Sequence, residues 1–365
     1  MTANQESNAP TKVTGSPRAA ELLRAARGGD QHAFAMLVEP YQRELQAHCY
    51  RMLGSHADAE DALQETLLRA WRGLARFAER SSLRSWLYRI ATNRCLTAIE
   101  RRPKRVLPID YAPAADPHDG PSDPLSDPVW LEPYPDIELG LDGPAGPEAR
   151  YEQRESVELA FIAALHHLPA RQRAVLILRD VLGFSARETA NLLETTPVTI
   201  DSTLQRAHKT VDDRLPSQSQ QQTLRLLRDE QLSELVERYI TAWEQNDVDV
   251  VVSMLAEDAR IVMPPLPSWY SGRDQVAAFL RDYPLRGARR WKMVPTSANG
   301  QPALATYEWN EQTGAFTPHS ISVLTLRGGQ IEEIMSFLNP KLLEPFGAAP
   351  SGLTIQDRGT PRQPS

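Results

Sequence analysis

The stretch SSLRSWLYRIATNRCLTAIERR interleaves Trp86 and Tyr88 with Arg84, Arg89, Arg94, Arg101 and Arg102. Aromatic rings among arginines suit single-stranded nucleic acid, because unpaired bases stack on rings while guanidinium groups hold the backbone. The plainer alternative is that rings at helical spacing are core, and Trp71 and Trp86 both admit it. Just upstream, DAEDALQETLLRAW turns Ala62, Leu63, Thr66, Leu67, Ala70 and Trp71 inward. That leaves Asp58, Asp61, Gln64, Glu65 and Arg69 on an exposed polar face.

A second block, LPARQRAVLILRDVLGFSARETANLLETTPVTIDSTLQRAHKTV, has the layout of a helix-turn-helix. Phe184 to Leu193 forms one helix, Thr196 caps the next, and Pro197 takes its first position, where a missing N–H costs nothing. Ile200, Leu204, Ala207 and Val211 repeat at helical spacing and face a core. Thr199, Ser202, Thr203 and Arg206 then lie outside, where a recognition helix meets the major groove. Short polar side chains there can read base edges, and Arg206 and Lys209 can pair with phosphates. An ordinary helical hairpin remains the alternative.

These residues sit in a chain of 365 with 41% hydrophobic and 24% charged residues, long enough for two or three domains. No run of 18 apolar residues exists, which excludes a membrane-spanning helix. The polar N-terminus lacks the apolar segment of a secretory signal, and residues 1–16 and 347–365 read as disordered tails. Cys49 and Cys95 lie inside apolar helical patterns with no Cys/His cluster, which fits a reducing cytoplasm, two core residues and no structural metal. Nothing calls for a cofactor.

The net charge of −7 is unevenly spread. Residues 1–105 carry 17 Lys/Arg against 11 Asp/Glu, whereas 106–149 carry ten acids and no base. Residues 150–216 balance at nine against nine. The 106–149 stretch also holds ten prolines, a composition that predicts an extended linker without a core, broken by the aromatic island WLEPYPD. Residues 17–105 and 150–216 read as all-α. After a Gln/Ser-rich joint, SQSQQQ, residues 223–346 begin helical and then alternate short strands with turns, Gly328-Gly329 closing one hairpin.

DAEDALQETLLRAW followed by LRSWLYRIATNRCL resembles the polymerase-binding and promoter-melting region of sigma-70 family factors. The match is to the extracytoplasmic-function group and extends over 17–215. The resemblance implies a transcription initiation factor with two all-α sigma domains, region 2 over 17–105 and the helix-turn-helix region 4 over 150–216. Its partners would be core RNA polymerase, through the β′ clamp helices and β flap, and promoter DNA. Asp58, Asp61, Gln64, Glu65 and Arg69 would face the clamp helices. The loop Phe77–Arg84, with Arg84, Trp86, Tyr88, Arg89, Asn93, Arg94 and Arg101, would open and read the −10 element. Thr199, Ser202, Thr203, Arg206 and Lys209 would meet the −35 element. The chain departs from the family at Thr97, often Asp, at Asp201 and Thr203, often basic, and at Glu194, usually Gly, which calls for a left-handed backbone there. The acidic linker would either imitate nucleic acid in a basic polymerase channel or serve as a tether.

Residues 225–340 are similar to SnoaL-like polyketide-cyclase domains, a cone-shaped α+β fold with an internal pocket. Enzymes of that kind use a carboxylate or His as base, and Asp258, Glu308 and His319 are the candidates here. Met263, Trp269, Tyr270, Trp309 and Phe337, with Trp291 and Tyr307, could line a small-ligand pocket or be core. The preferred reading is a regulatory, non-enzymatic domain attached to a sigma factor. A free-standing regulator with a ligand domain and a cyclase or isomerase are the rivals.

Overall fold

A computed structural model describes residues 17–125, 129–139 and 152–347. The expected tails at 1–16 and beyond 347, and residues 140–149 of the expected linker, lie outside them. The contacts divide the chain into two compact units. The first holds the residues through Leu53, Ala57–Arg102 and Pro169–Lys209; the second holds Gly54–His56, Pro103–Leu168 and the chain from Thr210 onward.

In the first unit α1 (Pro17–Arg27), α2 (Gln31–Leu53), α3 (His56–Gly73) and α4 (Leu83–Glu100) form where the 3.6-residue apolar period runs. Ser82 caps α4 by accepting the Ser85 amide at 3.1 Å. Leu45, Tyr50, Met52, Leu87, Ala91 and both cysteines close the core. After a turn, Pro108–Tyr111 (α5), and α6 (Leu159–His166), both in the second unit, the chain returns with α7 (Ala170–Leu176), which runs on as a π-turn to Val181. The helix-turn-helix is α8 (Ala186–Leu192) and α9 (Pro197–Asp212). Ser185 and Glu188 make a reciprocal capping box on α8, and Thr196 accepts the Thr199 amide at 3.2 Å on α9.

The second unit is built on α10 (Gln220–Leu226), α11 (Asp229–Glu244), α12 (Val248–Ser253) and α13 (Arg273–Asp282) with a six-stranded sheet. The strands are β1 (Leu255–Val262), β2 (Trp269–Ser271), β3 (Trp291–Ala298), β4 (Gln301–Asn310), β5 (Ala315–Arg327) and β6 (Gln330–Phe337), in the order β2-β1-β6-β5-β4-β3. All neighbours are antiparallel except β1 and β6, which run parallel, so the sheet is mixed rather than purely antiparallel. Tyr239, Trp243, Val251, Phe279 and Leu280 from the helices bury against Met293, Leu304, Leu324 and Ile334 from one face of the sheet. Gly328-Gly329 turns β5 into β6 with both residues at positive φ, as expected.

The acidic, proline-rich stretch departs from the extended tether that its composition predicts. It has no core of its own and borrows one. The Ala115 amide donates to the Trp269 carbonyl and the Trp269 indole donates to the Ala112 carbonyl, both at 2.8 Å. Further along, the Ser122 amide meets Ser268 and the Leu125 amide meets the Pro265 carbonyl. Trp130, Leu131 and Tyr134 of the aromatic island are buried. Proline suits such a strap because it carries no N–H that burial would orphan.

The strap ends on the β3–β4 hairpin, whose tip, Asn299-Gly300, has both residues at positive φ. The Asn299 side chain accepts the Tyr134 amide at 2.8 Å and donates to the Val157 carbonyl at 2.7 Å, while its own amide donates to the Tyr134 carbonyl. Gly300 donates its amide to Asp136 at 2.8 Å. The Gln/Ser joint closes the other side. Gln221 donates to the Gly300 carbonyl, Gln220 pairs with the Leu326 backbone in both directions, and buried Glu158 accepts the amides of both glutamines.

Two carboxyls of this clasp are shifted by burial. Asp136 is pushed up to about 6, against the pull of the Gly300 amide and Arg154, and Glu158 to about 7, against the amides of Gln221 and Gln220. A carboxyl whose folded value is raised contributes stability fully below its unfolded value and loses it as pH rises through the folded value. The second unit should therefore be less stable at pH 8 than at pH 5, by at most about 3 kcal/mol per group, and melt at lower temperature. Thermal denaturation of the whole chain across that range, with Asp136→Asn flattening the part below pH 7, checks it. An equal slope in the variant would refute the assignment.

Candidate nucleic-acid interface

The first surface is the outer face of α3. Asp61 and Gln64 are exposed there, and Glu65 is held by Arg69 at 2.6 Å one turn on, which lowers its pKa. Asp58 does not join them. Its side chain is 13% exposed and ion-paired with Arg102, so it fastens α3 to the end of α4. Sequence reasoning missed the apolar neighbour of this face. Leu68, half exposed, lines a shallow cavity of about 510 Å³ with Gln31, Phe34, Gln64, Leu67 and Trp71. The signal was a leucine falling off the α3 core stripe.

On α4 the expected set divides. Arg89, Asn93 and Arg101 are exposed, Arg94 and Trp86 half-buried. Trp86 packs against Phe77 with the rings tilted and 4.9 Å between centroids, at the start of the loop to α4. A smaller cavity of about 220 Å³ adjoins that loop, with Arg24, Arg27, Phe77 and Glu79 among its lining residues. Tyr88 is corrected outright: it is 0% exposed and cannot stack on a base. Position 88 falls on the same stripe as Leu87, Ala91 and Cys95, so the ring turns into the core beside His48. Arg84 is engaged as well. Its guanidinium binds Glu44 at 3.1–3.2 Å and lies over the rings of Tyr88 at 4.9 Å and Phe184 at 4.8 Å. Arg89 is ion-paired with Glu194 of the helix-turn-helix.

On α9, Thr199, Ser202, Arg206 and Lys209 form one exposed stripe at helical spacing. Thr203 is corrected: it is 8% exposed, because three residues after Ile200 and four before Ala207 it lies on the core stripe, which Leu204 only half shares. The Arg206 guanidinium lies along the helix, donating to the Ser202 carbonyl at 3.2 Å and Thr203 Oγ1 at 3.3 Å. Val198, 78% exposed at the start of the helix, went unnoticed in the sequence; its methyls suit a thymine methyl. Glu194 does take the left-handed conformation, at φ 53°.

The residues proposed for a ligand pocket do not converge. Met263 and Tyr270 join the core cluster. Trp269, next to Tyr270 on β2, faces the strap instead, because successive strand residues alternate. Trp309 pairs with Phe316 under Arg290, on the opposite face from Glu308, and Phe337, though buried, lies outside that cluster. Of the acid/base candidates, Asp258 is exposed and paired with Arg327. Glu308 and His319 do meet, at 3.8 Å beside Trp291, with Arg289 on the same carboxylate at 2.8 Å and burial lowering the imidazole pKa. Among the described residues no group of three or more metal-ligating side chains occurs, and no helix is long and apolar enough to cross a membrane.

Three family models match the chain: sigma-70 region 2 matches residues 37–105, sigma-70 region 4 matches 158–211, and a SnoaL-like domain matches 236–334. The crystal structure of the Mycobacterium tuberculosis extracytoplasmic function sigma factor SigJ resembles the fold with a TM-score of 0.54, at 22% identity, over 84% of this chain and 98% of that one. The ECF RNA polymerase sigma factor SigM of M. tuberculosis is 32% identical over 52% of this chain and 80% of its own length. The ECF RNA polymerase sigma factor SigG of M. tuberculosis is 42% identical over 323 residues, 88% of this chain and 84% of its own. With that identity over most of both proteins, this chain belongs to the extracytoplasmic-function sigma factors of RNA polymerase.

Proposed function

We propose that this chain recruits core RNA polymerase to promoters in the cytoplasm through the exposed α3 face, melts and reads the −10 element with α4 and its preceding loop, and reads the −35 element with α9. The observation that carries the reading is the pair of nucleic-acid surfaces in one chain: an arginine-rich α4 with Trp86 at its loop, and a capped recognition helix with a polar stripe. A free-standing regulator needs only the second. Among the expected residues, Asp61, Gln64, Glu65 and Arg69 serve polymerase. Trp86, Arg89, Asn93, Arg94 and Arg101 serve the −10 element, and Thr199, Ser202, Arg206 and Lys209 the −35 element. Asp58, Tyr88 and Thr203 support these surfaces from within.

The neutral charge of residues 150–216 fits delivery to DNA by polymerase, since phosphate contacts supply most affinity of a protein acting alone. The C-terminal domain is a regulatory module rather than an enzyme. Its clasp on the strap supports this, because the strap is the connection between the two sigma domains.

Purified chain and core polymerase should give promoter-specific transcripts, and Asp61→Ala with Glu65→Ala should abolish core binding. A chain that binds promoters tightly alone and never binds core would overturn the proposal. Tyr88→Ala should cost about 3–5 kcal/mol in urea denaturation, as a buried aromatic truncation does. Trp86→Ala should instead lower open-complex formation at nearly unchanged duplex binding. Thr203→Val should leave −35 binding within about twofold, whereas Arg206→Ala should weaken it roughly tenfold or more; gel shifts with reconstituted holoenzyme separate the two.

A further inference from the structure

The loop between α3 and α4 bends at Glu79, a residue other than glycine at φ 54°. Glutamate in the left-handed region is strained and persists only where its surroundings hold it. Here Arg27 holds it. The Arg27 Nη1 donates to Glu79 Oε1 at 2.8 Å, and its Nη2 donates to the Phe77 carbonyl two residues earlier. One planar guanidinium thus spans the bend as a fork, which the single nitrogen of a lysine cannot reproduce.

The arm that reaches across is rigid at its base. Arg27 ends α1, and the chain leaves that helix through a Schellman turn with Gly29 at φ 95°. The Gly29 amide donates to the Ala26 carbonyl at 3.0 Å and the Asp30 amide to the Ala25 carbonyl at 3.2 Å. Asp30 then accepts the Ala33 amide at 3.0 Å and caps α2. At the far end, Phe77 is buried with its ring against Trp86 of α4. Arg27, Phe77 and Trp86 therefore form one chain of contacts inside the first compact unit. The cavity of about 220 Å³ lies between α1 and the loop, walled by Leu23, Leu37, Phe77 and Leu83. Packing does not fill that space, so the guanidinium sets how the loop sits against α1.

We propose that Arg27 is a positioning residue for promoter melting: it holds the Phe77–Ser82 backbone in the bent form that presents the loop and Trp86 to the unpaired −10 strand. This rests on the assignment of that loop and α4 to the −10 element. Without the fork the strained Glu79 relaxes and the loop spends less time in the competent form, which lowers apparent affinity by that fraction. The Arg27–Glu79 pair is 31% and 43% exposed, so salt screens that half of the fork.

The test uses the full chain with core polymerase and three variants, Arg27→Ala, Arg27→Lys and Arg24→Ala. Arg24 is exposed three residues earlier on α1, so its loss removes the same charge and leaves the fork intact. Hydrogen–deuterium exchange over residues 77–82 reads the loop. Open-complex formation on duplex promoters with a native, a −10-altered or a −35-altered sequence reads its use. Arg27→Ala should speed exchange and lower open-complex formation on the native promoter about tenfold. It should also shrink discrimination against the altered −10 element, while −35 discrimination and core binding hold. Arg27→Lys recovers one acceptor and should fall between, and Arg24→Ala should match the unsubstituted chain. Unchanged exchange in Arg27→Ala would overturn the fork. Faster exchange at intact −10 discrimination, an equal loss at −35, or the same defect in Arg24→Ala would overturn the positioning role. An unsubstituted chain that ignores the −10 sequence would instead sink the −10 assignment itself.

Discussion

The second unit depends on one asparagine held in a left-handed backbone. Asn299 uses its carbonyl oxygen, its side-chain amide and its own N–H to fix Tyr134 and Val157, which lie in different segments of the chain. An Asn-Gly pair with both residues at positive φ is what a two-residue hairpin needs, so the turn forms from local chemistry and then serves as a post. Around it Gln220, Gln221, Gln301 and Glu158 each find backbone partners out of water. Unsatisfied, those groups would each cost on the order of 1–3 kcal/mol; satisfied, they permit only one arrangement of strap and sheet.

In the first unit the arginines do two kinds of work that their positions in sequence do not separate. Arg84, Arg102 and Arg173 hold helices together through Glu44, Asp58 and the Met52 carbonyl. Asn93 and Arg101 on the same helix as Arg84 remain exposed. Burial lowers the Arg173 pKa to about 10, and the guanidinium stays charged at neutral pH. The cost of burying that charge is met where α2 presents carbonyls with no helical partner.

How much the sequence disclosed follows from what periodicity can report. It placed α3, α4, α8 and α9 and identified their stripes, because burial of one face dictates a 3.6-residue repeat. It failed at the stripe edges. Thr203 and Leu204 lie on either edge of the α9 core stripe, about 100° apart, and the threonine is the more deeply buried of the two. Tyr88 failed because an amphipathic ring suits both a base and a core, and only the neighbouring Phe184 and His48 decide. The strap failed for another reason. Composition measures whether a segment can build its own core, and this one takes its buried partners from β2 and the β3–β4 hairpin. The island WLEPYPD was the visible trace of that debt, and Asn299-Gly300 was the overlooked partner.

Charge then bears on how the recognition helix reaches its target. A region 4 block with nine bases and nine acids has little long-range attraction to DNA. A basic helix-turn-helix would bind duplex DNA on its own. A near-neutral recognition block instead fits a protein that polymerase must bring to the promoter.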